Sequence, residues 1–148
     1  MVLAGSGCSA GPVDVGTPTV SGADRRACEG LVGDLPDTLA EESAREVSPA
    51  DALGAAWGDP AITLTCGVGR PAGFDRFSTC MQADGVGWFV PDDQLLDEST
   101  DVTMTAVGYR PRVQVDVPAS YRPEGVAAAM SELAGPVDDH LRLVKRCR

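Results

Sequence analysis

Four cysteines, Cys28, Cys66, Cys80 and Cys147, are spread along this chain of 148 residues, and a fifth, Cys8, stands near its start. Once bonded, such a set dictates which distant segments must touch, so it constrains the fold more than any other feature. No two cysteines form a C-x-x-C pair, and His140 is the only histidine, so the spacing offers no zinc site. An even set of four points to two disulfides and an oxidising compartment. The rival reading is a cytosolic chain with five reduced thiols, since free cysteines are commonly buried. Four cysteines permit three pairings. Cys66 and Cys80 fall on successive expected strands, within bonding reach if those strands pair. The expected pairing is therefore Cys66–Cys80 with Cys28–Cys147, the second tying the first element to the last.

The start reads Leu3-Ala4-Gly5-Ser6-Gly7-Cys8. Small residues before a cysteine are the mark of a bacterial lipoprotein signal. Here the third residue back is Gly5 rather than an apolar one, and no basic run precedes the short apolar stretch. The expectation is that residues 1–8 are the remnant of such a signal, with a lipid carried on Cys8. Residues 9–21 are dominated by Gly, Pro, Ser and Thr without periodicity. They are expected to form a flexible tether reaching roughly 20 Å. Residues 22–148 then form a single domain.

Within that domain Ser21 is placed to cap a helix. Cys28, Leu31, Val32 and Leu35 share its inner face, and Pro36 ends it. A short edge strand is expected near Ala44–Val47, and a turn over Ala55–Pro60 with Trp57 as a packing anchor. Strands follow at Ala61–Cys66, Thr79–Ala83, Val86–Val90, Asp101–Val107 and Arg112–Val117. Asp84-Gly85 signals a type I′ hairpin, and Val113, Val115 and Val117 alternate inward. Val126, Met130, Leu133, Val137, Leu141 and Val144 step as a helical stripe, and Gly135-Pro136 predicts a break in it or two short helices. Aromatics are 5% of the residues, so the core rests on aliphatic side chains.

The net charge of -10 argues against nucleic-acid binding, which needs a basic surface. There is no Gly-x-Ser-x-Gly elbow, and His140 reads as a surface helix residue, so no catalytic residue is assigned. Asp92, Asp93, Asp97, Glu98 and Asp101 crowd one loop without the spacing of a calcium loop, and they read as solvated charges. Tyr109, Arg110 and Arg112 adjoin a turn, and Arg70 and Arg76 lie in the long loop after the strand Ala61–Cys66. If Arg70, Arg110 and Arg112 converge, they offer a site for an anion or a polysaccharide carboxylate; otherwise they are scattered surface arginines. The basic tail Arg142, Lys145, Arg146 and Arg148 suits the negative end of a helix, or anionic lipid headgroups.

The blocks Cys28–Pro36, Ala55–Pro60, Leu64-Thr65-Cys66-Gly67-Val68, Arg70-Pro71, Asp84–Phe89 and Val107–Val115 together resemble an actinobacterial secreted family, domain of unknown function 3515. The likeness covers about residues 26–135. Thr65 departs from the arginine expected before the cysteine in many relatives. The resemblance implies an exported, often lipid-anchored envelope protein and brings no catalytic residue with it.

The expected fold is α+β. An N-terminal helix is followed by an antiparallel sheet of four to five strands and a C-terminal helix packed on it. The expected function is non-catalytic: a lipid-tethered domain on the outer face of a bacterial cytoplasmic membrane, binding an envelope component or a protein partner, without metal or cofactor. The alternative is an envelope hydrolase acting on a wall polymer through unidentified carboxylates or arginines.

Overall fold

The computed structural model describes residues 10–148. Cys8 and the lipoprotein-signal reading of residues 1–8 lie outside them. In chain order the elements are β1 (Val13–Asp14), α1 (Gly22–Gly33), β2 (Thr38–Leu39), β3 (Glu42–Arg45), β4 (Val47–Ser48), β5 (Gly54–Trp57), β6 (Ile62–Val68), β7 (Met81–Ala83), β8 (Val86–Trp88), α2 (Asp92–Leu96), β9 (Val102–Thr105), β10 (Tyr109–Arg110), β11 (Arg112–Val117), α3 (Glu124–His140) and β12 (Arg142–Leu143). The fold is α+β. Its main sheet has six strands in the order β2-β3-β5-β6-β11-β9, each antiparallel to its neighbours.

The alternation in β11 organises the sheet. Val113, Val115 and Val117 are buried on one face together with Ile62, Leu64 and Cys66 of β6. Against that face pack Cys28 and Leu31 of α1 and Ala129, Met130, Leu133 and Val137 of α3. Burying each large aliphatic side chain is worth about 1.5–3 kcal/mol. Trp57 is fully buried and donates its indole N–H to the Pro36 carbonyl at 2.9 Å, tying the end of β5 to the segment after α1. The Asp84-Gly85 turn has positive φ at both residues, 47° and 88°, as a type I′ hairpin requires.

Four features depart from the expectations. First, Gly54–Trp57 is a strand of the sheet, where a turn was expected over Ala55–Pro60. It lies between β3 and β6 with little exposure, and small residues suit its crowded setting. Second, the hairpin β7–β8 stands apart from the main sheet. The strands beside β6 are β5 and β11, so Cys80 is never carried alongside Cys66. The expected pairing is thereby corrected: the disulfides are Cys28–Cys66 and Cys80–Cys147. Cys28 on the inner face of α1 meets Cys66 on the inner face of β6, an inevitable neighbour once α1 packs on that face.

Third, α3 runs unbroken through Gly135-Pro136. Pro136 supplies no N–H to the Glu132 carbonyl, and Glu132 lies on the exposed side of the helix. Leu133 and Val137 on either side remain buried, so packing outweighs the cost of about 3 kcal/mol for an interior proline. Fourth, the part of the expected tether within the described residues is laid along the sheet. Val13 and Val15 donate backbone hydrogen bonds to Glu46 and Ser48, β1 pairs in parallel with β4, and Arg45 donates to the Gly11 carbonyl at 2.7 Å. Residues Asp14–Pro18 line the face of the sheet that carries Thr63, Thr65, Gln114 and Asp116, opposite the helices. Backbone bonds, which composition does not reveal, hold this segment.

Candidate functional site: a basic cleft

The helix expected to carry the basic tail stops at His140, whose ring lies 3.0 Å from Asp34 at the end of α1. Beyond it Leu141 is buried and the chain turns back along the molecule. β12 pairs with β10, matching Arg142 with Arg110 and Leu143 with Tyr109. The Gly108 carbonyl accepts from the N–H groups of both Val144 and Lys145. The strap passes so near that a Cβ on Gly108 would collide with the Lys145 carbonyl oxygen. Cys147 is then bonded to Cys80, and the Gln82 amide donates to the Cys147 carbonyl at 2.7 Å. The last residues are thus stapled to the hairpin.

Facing this strap is the loop between β6 and β7. Phe74 packs edge-to-face on buried Phe89, with ring centroids 5.1 Å apart, and anchors the loop to the core. The Arg70 guanidinium donates twice to the Phe74 carbonyl, at 3.0 and 2.6 Å. The Asp75 carboxylate accepts from the N–H groups of Phe77 and Ser78, at 2.8 and 3.0 Å. Arg76 lies 4.6 Å from the centre of the exposed Phe77 ring. This loop is therefore shaped by its own side chains.

The floor comes from β10 and β11. Arg112 pairs with Val68 while Val113 pairs with Cys66, so Gly67 is an extra residue and the ladder bulges at Arg112. Gly67 takes φ +94°, which suits glycine in such a bulge, and bulges of this kind re-aim a side chain at the end of a ladder. Arg112 is half-buried, and its Nε–H is buried without a hydrogen-bond partner among the described residues. Burial first, and then the neighbouring charges of Arg110 and Arg70, push the Arg112 guanidinium below its ordinary value. Arg110 donates to the Val107 and Tyr109 carbonyls at 2.9 and 2.6 Å.

Together these elements enclose a cleft of about 420 Å³. Arg70, Arg76, Arg110, Arg112, Lys145, Arg146 and Arg148 line it, seven of the twelve Lys and Arg residues in an acidic protein. Asp75 is the one acidic side chain in the lining. The ion pairs among the described residues are Arg25–Glu29 and His140–Asp34, so none of the seven is paired with a carboxylate. Like charges that so outnumber their counter-charges repel one another, and an anion relieves that repulsion. Planar guanidinium forks match a carboxylate or phosphate two oxygens at a time.

The three arginines singled out from the sequence, Arg70, Arg110 and Arg112, are thus brought together. Lys145, Arg146 and Arg148 join them as a strap rather than as a helix end. No local signal in the sequence marks this turn of the tail away from the helix. The acidic loop is engaged in local structure. Asp97 binds Ser99, which holds its carboxyl below the usual range, and Asp101 accepts from the Ala119 N–H. Among the described residues no three His, Cys, Asp or Glu side chains converge as a metal site. No helix among them is long and apolar enough to cross a membrane. Two disulfides are the mark of an oxidising, extracytoplasmic setting.

No curated protein and no solved structure matches the chain. A family model described as protein of unknown function (DUF3515) matches residues 1–145. The chain therefore belongs to the DUF3515 family.

Proposed function

We propose that this protein is a non-catalytic binding domain of the bacterial cell envelope, tethered by a lipid on Cys8, whose basic cleft receives the anionic groups of an envelope component. The observation that carries this reading is the gathering of seven cationic side chains, none in an ion pair, in a molecule of net charge -10. Arg70 and Arg110 hold backbone carbonyls of their own loop and strand, but the gathering of all seven cations without a carboxylate partner is unfavourable by itself. A bound anion offsets their repulsion and accepts from the guanidinium N–H groups that face the cleft.

The test is binding of fluorescein-labelled heparin, a polysaccharide bearing carboxylates and sulfates, to the full chain at low salt. The doubly reversed variant Arg110→Glu with Arg112→Glu is expected to bind at least about tenfold more weakly. The exposed pair Arg76→Glu with Arg146→Glu repeats the test away from the sheet, should the first variant fold poorly. Absence of wild-type binding, or equal binding by wild type and the exposed-pair variant, overturns the proposal.

A further inference from the structure

The docked N-terminal segment gives the cleft a direction. Gly11 is held beside Arg45, and the same guanidinium donates to the carbonyl of Gly58, in the turn between β5 and β6. From there the segment advances along the sheet. Gly16 lies against Thr65, and Val20 lies against Gly67. It therefore enters near the first residue of β6 and ends near the last. The cleft begins just beyond that last residue, at Arg70 and Arg112. The seven residues of β6 span about 20 Å. Cys8 is three residues before Gly11, a reach of about 11 Å at most. Cys8 itself therefore cannot be brought to the cleft while the segment stays docked.

An aromatic surface adjoins the cleft. Phe77, outside the lining and 75% exposed, has the Arg76 guanidinium over its ring. Phe74, under the Arg70 guanidinium, is in the lining. Guanidinium groups beside exposed aromatic rings suit a ligand that alternates anionic groups with flat, partly apolar units, as a chain of acidic sugars does.

Resting on the reading of the cleft as an anion site tethered through Cys8, we infer that the fold points the cleft away from the anchoring membrane, and that its ligand is an acidic polysaccharide beyond the bilayer rather than the headgroups of that bilayer. The N-terminal segment is the device that sets this direction.

The test uses the full chain coupled through Cys8 to maleimide lipids in phosphatidylcholine vesicles, the other four cysteines being bonded to one another. Labelled heparin is expected to bind the vesicle-tethered protein and the free protein with dissociation constants agreeing within about twofold. A loss of about tenfold or more on tethering, with binding by the free protein intact, overturns the orientation. In a second arm, full chain capped at Cys8 is sedimented with phosphatidylglycerol vesicles. Pelleting that Arg110→Glu with Arg112→Glu abolishes overturns the choice of polysaccharide over headgroups; no such pelleting upholds it. Failure of the free protein to bind heparin at all overturns the anion site itself, a result distinct from failure on tethering.

Discussion

The two disulfides restrict the unfolded chain to a similar degree, yet they do different work. Cys28–Cys66 spans 38 residues and joins α1 to β6, with both cysteines wholly buried in the core. Cys80–Cys147 spans 67 residues and joins the hairpin to the C-terminal strap at the edge of the basic cleft. By loop entropy alone each restricts the unfolded chain by about 4 kcal/mol. The difference lies in the native state. Without the core bond, α1 and the sheet remain packed around two vacated, buried positions. Without the edge bond, only the strap is released, and its new freedom offsets part of the loss. One disulfide sustains the fold, and the other assembles the site.

The largest expected effect follows from removing the core bond. Cys28→Ala with Cys66→Ala is expected to lower the unfolding free energy by about 4 kcal/mol, read by urea denaturation. Heparin binding by the molecules that remain folded should persist. Removing the edge bond should invert this pattern. Cys80→Ala with Cys147→Ala is expected to cost about 1–3 kcal/mol and to weaken heparin binding about tenfold or more, because Lys145, Arg146 and Arg148 are no longer held in place. Equal loss of stability and unchanged binding in the second variant would erase the distinction. A smaller effect sharpens it. Gly108→Ala introduces a Cβ against the Lys145 carbonyl and should displace the strap without touching either disulfide. Binding should weaken a few-fold, with a stability loss of about 1 kcal/mol, read by thermal melting.

The same contrast separates what the sequence discloses from what it conceals. The inner face of β11, the Asp84-Gly85 hairpin and the stripe of α3 from Val126 to Val137 are local patterns, set by the periods of strand and helix, and these stand where the periods place them; Leu141 and Val144, which the same period included, lie beyond the helix end. Disulfide pairing depends on which strands become neighbours. β11 returns to lie beside β6 and displaces the hairpin from the sheet, and no local pattern announces that return. β5 was hidden because Gly54-Ala55-Ala56-Trp57 shows no alternation in a strand crowded on both sides. The N-terminal segment was hidden because backbone hydrogen bonds dock it, and these are independent of side-chain identity. At the cleft, Arg110 and Arg112 are visible beside a turn and Arg70 in a long loop. Their convergence depends on the bulge at Gly67, and the contribution of the tail depends on α3 ending at His140.

The most direct test of the cleft as an anion site is a salt titration of heparin binding by the full chain, with its disulfides intact. Neutralising several anionic groups at once releases counterions, so the logarithm of the affinity should fall linearly with the logarithm of salt concentration. The slope should flatten as cleft cations are reversed one pair at a time. Binding at low salt by this protein of net charge -10, with a slope of several charges that flattens in Arg110→Glu with Arg112→Glu, is the expected result. No binding at low salt, or a slope that the reversal leaves unchanged, would contradict it.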